Sequence, residues 1–497
     1  MVVLVNIIAF LTVFMFIVVV HEFGHFIFAR AFGVKVHEFA IGFGPEIFRR
    51  KGKKTDFRIN VFPLGGYVRL KGEDPSEEED PDSLYGVSAW KRFLIVFAGP
   101  LFSILAGYFL FMIIISFWGY TPIIIDKVIP GSPAQEAGLQ SNDVILKING
   151  KYIFDTIDMT NTIRKGKTIV LEVLRGNERL KISVIPRLTP AQYYMYFKDV
   201  RGNIGGKIFS INNLPFGEYI KNYKKEIVTI KSEIGEINGV LDSLTSQPER
   251  YTIGIYYGQF SSTFAKDAQP FKKGDKIVQV GDRKVESSSD LLDILTALSL
   301  KPDELYVTVN GEKVESLISS LPEDIMVTYL TSRGESNRVI LKKEKLIQIF
   351  SIPGIFETKA TRIKPKGIIE SLTLSVARSN RLAIYIWKTL PGIFVGKNLQ
   401  DVTGPVGMVQ VIGQAAQIGI ETILTIVAII TINLGIFNLF PLPALDGGRI
   451  VFALIEMITR RKINRNIENI IHTIGFFILL GLVFFVTFID IGRLFNR

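Results

Sequence analysis

The hydrophobic pattern is dominated by four long apolar runs, at residues 2–28, 93–118, 420–440 and 470–489. Each comes near the roughly 20 residues that a helix needs to cross ~30 Å of hydrocarbon, so the pattern predicts four transmembrane helices. Between the first two runs the periodicity changes. Residues 34–45 and 57–68 alternate and then bend at Gly42, Gly44, Gly65 and Gly66, which predicts paired strands. These strands are apolar enough to dip back toward the membrane, where irregular backbone is tolerated only if protein buries it or it lines a cavity. A plain surface hairpin is the alternative. His37, within the first of these strands, reads as a surface or structural histidine.

A repeat with an offset of 132 residues occupies the stretch between the second and third runs. Residues 139–150 match 271–282, and a helical pattern follows in both copies, with Asp158, Met159 and Ile163 answering Asp290, Leu291 and Leu295. Strand runs come next, at 169–174 and 180–184 in one copy and at 326–330 and 339–341 in the other. The preceding Pro130-Gly131-Ser132-Pro133 resembles the entry of a PDZ domain. Two PDZ-like α+β domains are therefore expected, at 120–190 and 250–345, the second with an insertion near 297–323. Residues 191–249 read as a connecting spacer, helix-like and charged over 211–248. Residues 346–419 read as a linker carrying an amphipathic helix at the membrane surface, with a turn-rich segment at 401–407. The flanking blocks 1–118 and 420–497 form the two halves of a membrane core.

Composition agrees with this division. The 497 residues suit two to four domains, and 48% are hydrophobic. The formal charge of +11 could point to nucleic acid, but the basic residues are dispersed or gather beside the apolar runs, which argues for membrane topology and no nucleic-acid partner. Lys/Arg counting puts the loop after the first span, and the short connection with Arg460, Arg461, Lys462 and Arg465, on the cytoplasmic side. Both termini and the repeats then lie outside, in a multi-pass protein of the cytoplasmic (inner) membrane. The first run lacks a basic n-region and is too long for a signal peptide, so it reads as a retained span. The acidic run from Glu73 to Asp80 reads as a solvated loop.

The chemistry concentrates in His21-Glu22-Phe23-Gly24-His25, at the end of the first run. Histidines four residues apart share one helix face and can grip one metal ion, while Glu22 points about 100° away from His21 and can act as a base. The alternative is a pair of histidines that only hydrogen-bond a neighbouring helix. Ionisable groups at membrane depth are nevertheless costly, and two of the chain's four histidines fall here. With no cysteine in the chain, any zinc must be held by histidine and carboxylate. Asp446, just beyond Pro441 and Pro443 at the end of the third run, is the one carboxylate in that segment. Both runs lead inward, so Asp446 arrives on the same side of the membrane as His21. Capping the helix that starts near Gly447 is its alternative role.

His21-Glu22-Phe23-Gly24-His25, taken with the stretch from Asn438 to Gly447, resembles the site-2 protease family of intramembrane zinc metalloproteases. Gly42-Phe43-Gly44-Pro45, the stretch from Pro63 to Val68 and the two PDZ-like copies narrow the resemblance to the bacterial type that includes the regulator-of-sigma-E protease. The resemblance implies Zn²⁺ on His21, His25 and Asp446, with Glu22 as catalytic base. It implies that the re-entrant strands present substrate, and on that basis the strands near Gly65, Gly66 and Tyr67 are expected to take an unwound segment as an added strand. It also places Asn433 and Asn438 beside that segment. Expected substrates are single-span membrane proteins, such as an anti-sigma factor or remnant signal peptides, cleaved within the lipid bilayer. Family members often carry Asn where this chain has Ser103, which is left out of the expected site. The competing function is a non-catalytic membrane receptor or scaffold with a structural metal.

Overall fold

The computed structural model describes residues 2–495, apart from 75, 78, 259, 353, 359–361 and 395–403. The chain divides into two units, residues 1–119 with 364–497, and residues 120–363. The first unit opens with α1 (Val2–Ala31), β1 (Val36–Lys51), β2 (Asp56–Leu70) and α2 (Ala89–Trp118). The two strands fold twice on each other. Residues 36–41 lie between 66–70 on one side and 56–59 on the other, while 46–51 pair with 56–60. Gly42 and Gly44, at φ of 82° and 88°, make the bend inside β1 that only glycine adopts easily. Phe43, Ile47, Phe48 and Phe62 stay exposed along this small sheet.

The middle unit is rich in strands. In chain order it contains β3 (Ile123–Val128), α3 (Pro133–Glu136), β4 (Val144–Ile148), β5 (Lys151–Tyr152), α4 (Thr156–Ile163), β6 (Ile169–Arg175) and β7 (Glu178–Val184). Next come β8 (Arg187–Thr189), β9 (Gln192–Gly202), β10 (Ile208–Ile211), α5 (Phe216–Lys221), β11 (Glu226–Ser232), β12 (Glu236–Gln247), β13 (Arg250–Thr252) and β14 (Ile255–Tyr257). The remainder is β15 (Phe260–Phe264), β16 (Lys276–Val280), β17 (Arg283–Lys284), α6 (Ser288–Ser299), β18 (Leu305–Asn310), β19 (Lys313–Ser319), β20 (Asp324–Leu330), β21 (Ser336–Lys342), α7 (Lys343–Phe350) and β22 (Phe356–Thr358).

The 132-residue repeat has a physical basis in this topology. One sheet runs β14-β3-β4-β6-β7 with β5 on β4, and another runs β22-β15-β16-β20-β21 with β17 on β16. Asp143 and Asp275 are both buried, and each accepts the backbone N–H three residues before it, from Gln140 at 2.9 Å and from Lys272 at 2.8 Å. Asp155 and Ser287 cap α4 and α6 at the same offset.

The helix-like spacer expected at 211–248 is corrected by the structure. That stretch holds β11 and β12, with only the six-residue α5 before them. The insertion expected near 297–323 comprises the end of α6 followed by β18 and β19, and these strands leave the second repeat. They join the spacer in a third sheet, ordered β10-β11-β12-β9-β18-β19. The sheet curls until Ile208 N–H bonds Glu312 O at 2.7 Å and Val314 N–H bonds Gly206 O at 2.9 Å, closing a barrel. Its core is Met195, Phe197, Val228, Ile230, Ile237, Leu241, Val307 and Val309. Alternating Ile and Val on the inner face outweighs the charged residues that suggested a helix, because β11 and β12 find pairing partners in β10, in β9 and in each other.

The chain returns to the first unit through α8 (Ile368–Phe394), α9 (Pro405–Ile418), α10 (Ile420–Asn438), α11 (Asp446–Thr459) and α12 (Arg465–Phe495). Among the described residues, four helices are long and apolar enough to cross a membrane, at Leu4–Ala31, Ala89–Trp118, Ile420–Asn438 and Arg465–Asp490. α8 turns its polar face inward. Ser371, Ser375 and Ser379 are buried while Ile368, Ile369, Leu372 and Trp387 are exposed. Of the turn-rich segment, 401–403 lie outside the described residues, and Gly404 precedes α9.

The acidic run is also corrected. Glu73 pairs with Arg449 at 2.6 Å and Glu79 with Lys462 at 2.8 Å. Arg465 donates to the carbonyls of Gly72, Asp74 and Glu77 at 2.6, 2.9 and 3.2 Å. The loop is clamped by cations almost 400 residues away in sequence, a partnership that local charge counting does not reveal. His37 Nε2 lies 3.9 Å from Glu77.

Candidate active site

α1 carries His21 and His25 on one face because they are one helical turn apart. α2 approaches that face closely. An added Cβ on Gly24 would lie 2.3 Å from Ala98 O, and one on Gly99 would lie 2.1 Å from His25 Nε2. The two helices can meet here only because both positions lack a side chain. Pro100 has no N–H to bond the carbonyl four residues back, which loosens this turn of α2. The neighbouring carbonyl of Ile95 accepts from His25 Nδ1 at 2.9 Å.

Asp446 begins α11 after a tight turn through Phe440–Leu445. Ala444 takes a φ of 73°, and Cβ atoms on Gly447 and Gly448 would lie 1.9 Å from Phe440 O and 2.6 Å from Leu442 O. The two glycines after Asp446 therefore let the turn fold back onto the first turn of α11. Leu445 is the N-cap residue, so Asp446 is not spent in that position. Its Oδ2 lies 3.0 Å from His21 Nε2 and 3.5 Å from His25 Nε2, and the two Nε2 atoms are 3.2 Å apart.

The three ligand atoms lie within 4.8 Å of one another and could hold a metal ion. Asp446 Oδ2 is buried and makes no hydrogen bond of good geometry among the described residues. Two nitrogen lone pairs and a carboxylate oxygen aimed at one point call for a shared cation, and two histidines with one carboxylate suit zinc with an open position. Both rings are braced on their far nitrogens, His25 by Ile95 O and His21 by Ser103 Oγ at 3.1 Å. Such outer partners fix tautomer and ring orientation.

The expected site residues do not all gather here. His21, Glu22, His25, Tyr67 and Asp446 line one cavity of about 750 Å³. Gly66 backs onto Glu22, since a Cβ there would lie 3.8 Å from Glu22 Cγ, and Gly65 sits under the Phe43 ring. Asn438, at the end of α10, brings Nδ2 to 3.5 Å from His21 Nε2. Asn433 is exposed on α10 and lies outside the cavity lining. The sequence reading left out Ser103, which is fully buried, and missed Glu73, Arg449 and His472 in the cavity wall. His472 could have been flagged as the fourth of only four histidines.

A network of cations braces the same region. Arg92 pairs with Glu456, and the guanidinium groups of Arg92 and Arg465 each lie 4.8 Å from the centre of the Tyr85 ring. Burial pushes the Tyr85 hydroxyl up to about 12, so it keeps its proton.

Comparison with known proteins bears on what such a site does. The profile of peptidase family M50 matches residues 9–482. A zinc metalloprotease of Thermotoga maritima is 42% identical over 502 residues, covering 98% of this chain and 99% of its own length. The regulator of sigma E protease of Haemophilus influenzae is 27% identical over 491 residues, covering 96% of each chain. A zinc metalloprotease of Campylobacter jejuni is 31% identical over 488 residues, covering 96% of this chain and 91% of its own length. These relatives do not favour a non-catalytic receptor. With the cavity, the spanning helices and a family match over nearly its whole length, this chain belongs to peptidase family M50, the site-2 proteases, and is a zinc-dependent intramembrane protease.

Proposed function

We propose that His21, His25 and Asp446 hold the zinc ion and that Glu22 is the catalytic base. The convergence of three ligand atoms beside a cavity that Glu22 also lines carries this reading. Bound there, the ion would supply Lewis-acid activation of water and of the scissile carbonyl. Glu22 would take the proton from the attacking water and deliver it to the leaving nitrogen. Gly65, Gly66 and Tyr67 receive an unwound stretch of substrate along the edge of β2, and Asn438 pins its freed backbone groups. Asn433 reaches the same segment only from outside the cavity.

The substrates in this reading are single-span membrane proteins, with an anti-sigma factor suggested by the name of the Haemophilus relative and remnant signal peptides as the second class. Lys/Arg distribution supports a topology with the middle unit and both termini outside the cytoplasm and the metal site toward the inner face. The exposed apolar residues of β1 and β2 support their entry into the membrane. The two repeat sheets are PDZ-like modules; the expected bounds 120–190 and 250–345 shift, because β14 at 255–257 completes the first sheet, β22 at 356–358 completes the second, and β18 and β19 join the 191–249 strands in the barrel.

The test is cleavage of a model single-span substrate by purified protein, with and without Glu22→Gln. The variant should keep its zinc and lose roughly 10²–10⁴-fold in rate. Undiminished cleavage would remove Glu22 from the base role.

A further inference from the structure

His472 stands on α12 against the turn that delivers Asp446. Its Nδ1 accepts the Ala444 N–H at 3.0 Å, and its ring packs on the backbone of Gly448, where a Cβ would lie 3.0 Å from Cε1. An N–H can be accepted only by a nitrogen lone pair, so the ring proton sits on Nε2. That Nε2 is buried and has no hydrogen-bond partner among the described residues, and His472 lines the same cavity as Glu22 and Asp446. An N–H buried without a partner is uncommon in native structures and costly.

Other donors on the cavity wall have partners of their own. Tyr67 donates to Glu38 at 3.1 Å, Arg449 to Glu73 at 2.6 Å, and Thr473 to Asn469 O at 2.8 Å. Cleavage of a peptide bond places negative charge on the scissile carbonyl oxygen, and a fixed neutral donor stabilises that charge without having to reorganise.

We propose that the Nε2–H of His472 donates a hydrogen bond to the scissile carbonyl oxygen of the bound peptide. This makes His472 a catalytic residue supplied by the last spanning helix. It transfers no proton. The bond strengthens as charge grows on the oxygen, so its effect falls on turnover rather than on binding. The inference rests on the protease assignment of this cavity.

Two substitutions separate this role from simple anchoring of the Ala444 turn. Glutamine can place an N–H where Nε2 stands but loses the acceptor for Ala444. Asparagine can keep an acceptor near Nδ1 but loses the far donor. Each variant is compared with the wild type for kcat and KM on a single-span substrate, and for zinc content. His472→Asn should lower kcat roughly 10²-fold with KM and zinc content unchanged. His472→Gln should stay within about tenfold of the wild-type kcat.

An Asn variant with wild-type kcat, a Gln variant as poor as the Asn variant, or a loss that follows zinc content would each overturn the proposal. If neither variant folds, intact Glu22→Gln protein labelled with ¹⁵N-histidine serves instead. Its His472 Nε2–H signal should move when an uncleaved peptide substrate is added, and an unmoved signal overturns the idea. Absence of cleavage by the wild type, or equal cleavage by wild type and Glu22→Gln, would instead defeat the protease assignment of the cavity.

Discussion

Ser103 Oγ meets His21 Nδ1 at 3.1 Å, on the opposite side of the ring from Asp446. A fully buried hydroxyl on α2 thus sets the orientation of an imidazole on α1. Ser103→Ala should leave the fold intact and weaken zinc retention roughly 10–100-fold, the usual cost of losing an outer-shell partner. Zinc content after titration with a chelator measures this. Unchanged retention would mean that packing alone holds the ring.

Gly99→Ala sets two effects in opposition. Helix propensity favours alanine by about 1 kcal/mol, but the new methyl would lie 2.1 Å from His25 Nε2 and against the rest of the ring. Overpacking of this kind costs about 1–3 kcal/mol, and here it also displaces a proposed ligand. Thermal unfolding should show a net loss of stability, and zinc retention should fall further than in Ser103→Ala.

Arg465→Ala removes three charge-assisted bonds to the carbonyls of the 72–77 loop. The loop should become the first site of cutting in limited proteolysis. Lys462→Ala breaks only an exposed pair with Glu79, whose side chains are 70% and 38% accessible, and pairs of that kind contribute about 0–1 kcal/mol. It should leave the digestion pattern nearly unchanged.

Buried Arg92 and half-buried Glu456 form an ion pair between α2 and α11. Removing either charge strands the other, at a cost of about 3–5 kcal/mol. Removing both should cost less than the sum of the two single losses, which a double-mutant cycle on unfolding in detergent would show.

The legible parts of this molecule were those set by local geometry. His21 and His25 share a helix face at any tertiary arrangement, and Asp446 stands alone after a spanning run. The repeat was visible because Asp143 and Asp275, like Asp155 and Ser287, perform the same backbone bonding in both copies. Ser103 was left out of the site because its contact with His21 depends on how α2 is rotated against α1. β11 and β12 were misread because their strand character is fixed by pairing with β10, β9 and each other. The anchoring of Glu73 and Glu79 was invisible for a similar reason, since their partners stand at 449 and 462.

The barrel takes four strands from ahead of the second repeat and two from inside it, while β14, the edge of the first repeat's sheet, follows the barrel's fourth strand in the chain. Cutting the polypeptide anywhere between residues 192 and 319 therefore leaves raw hydrogen-bonding edges on both pieces. The two repeats are stitched together through a shared seam, and a fragment carrying only one of them inherits an incomplete neighbour.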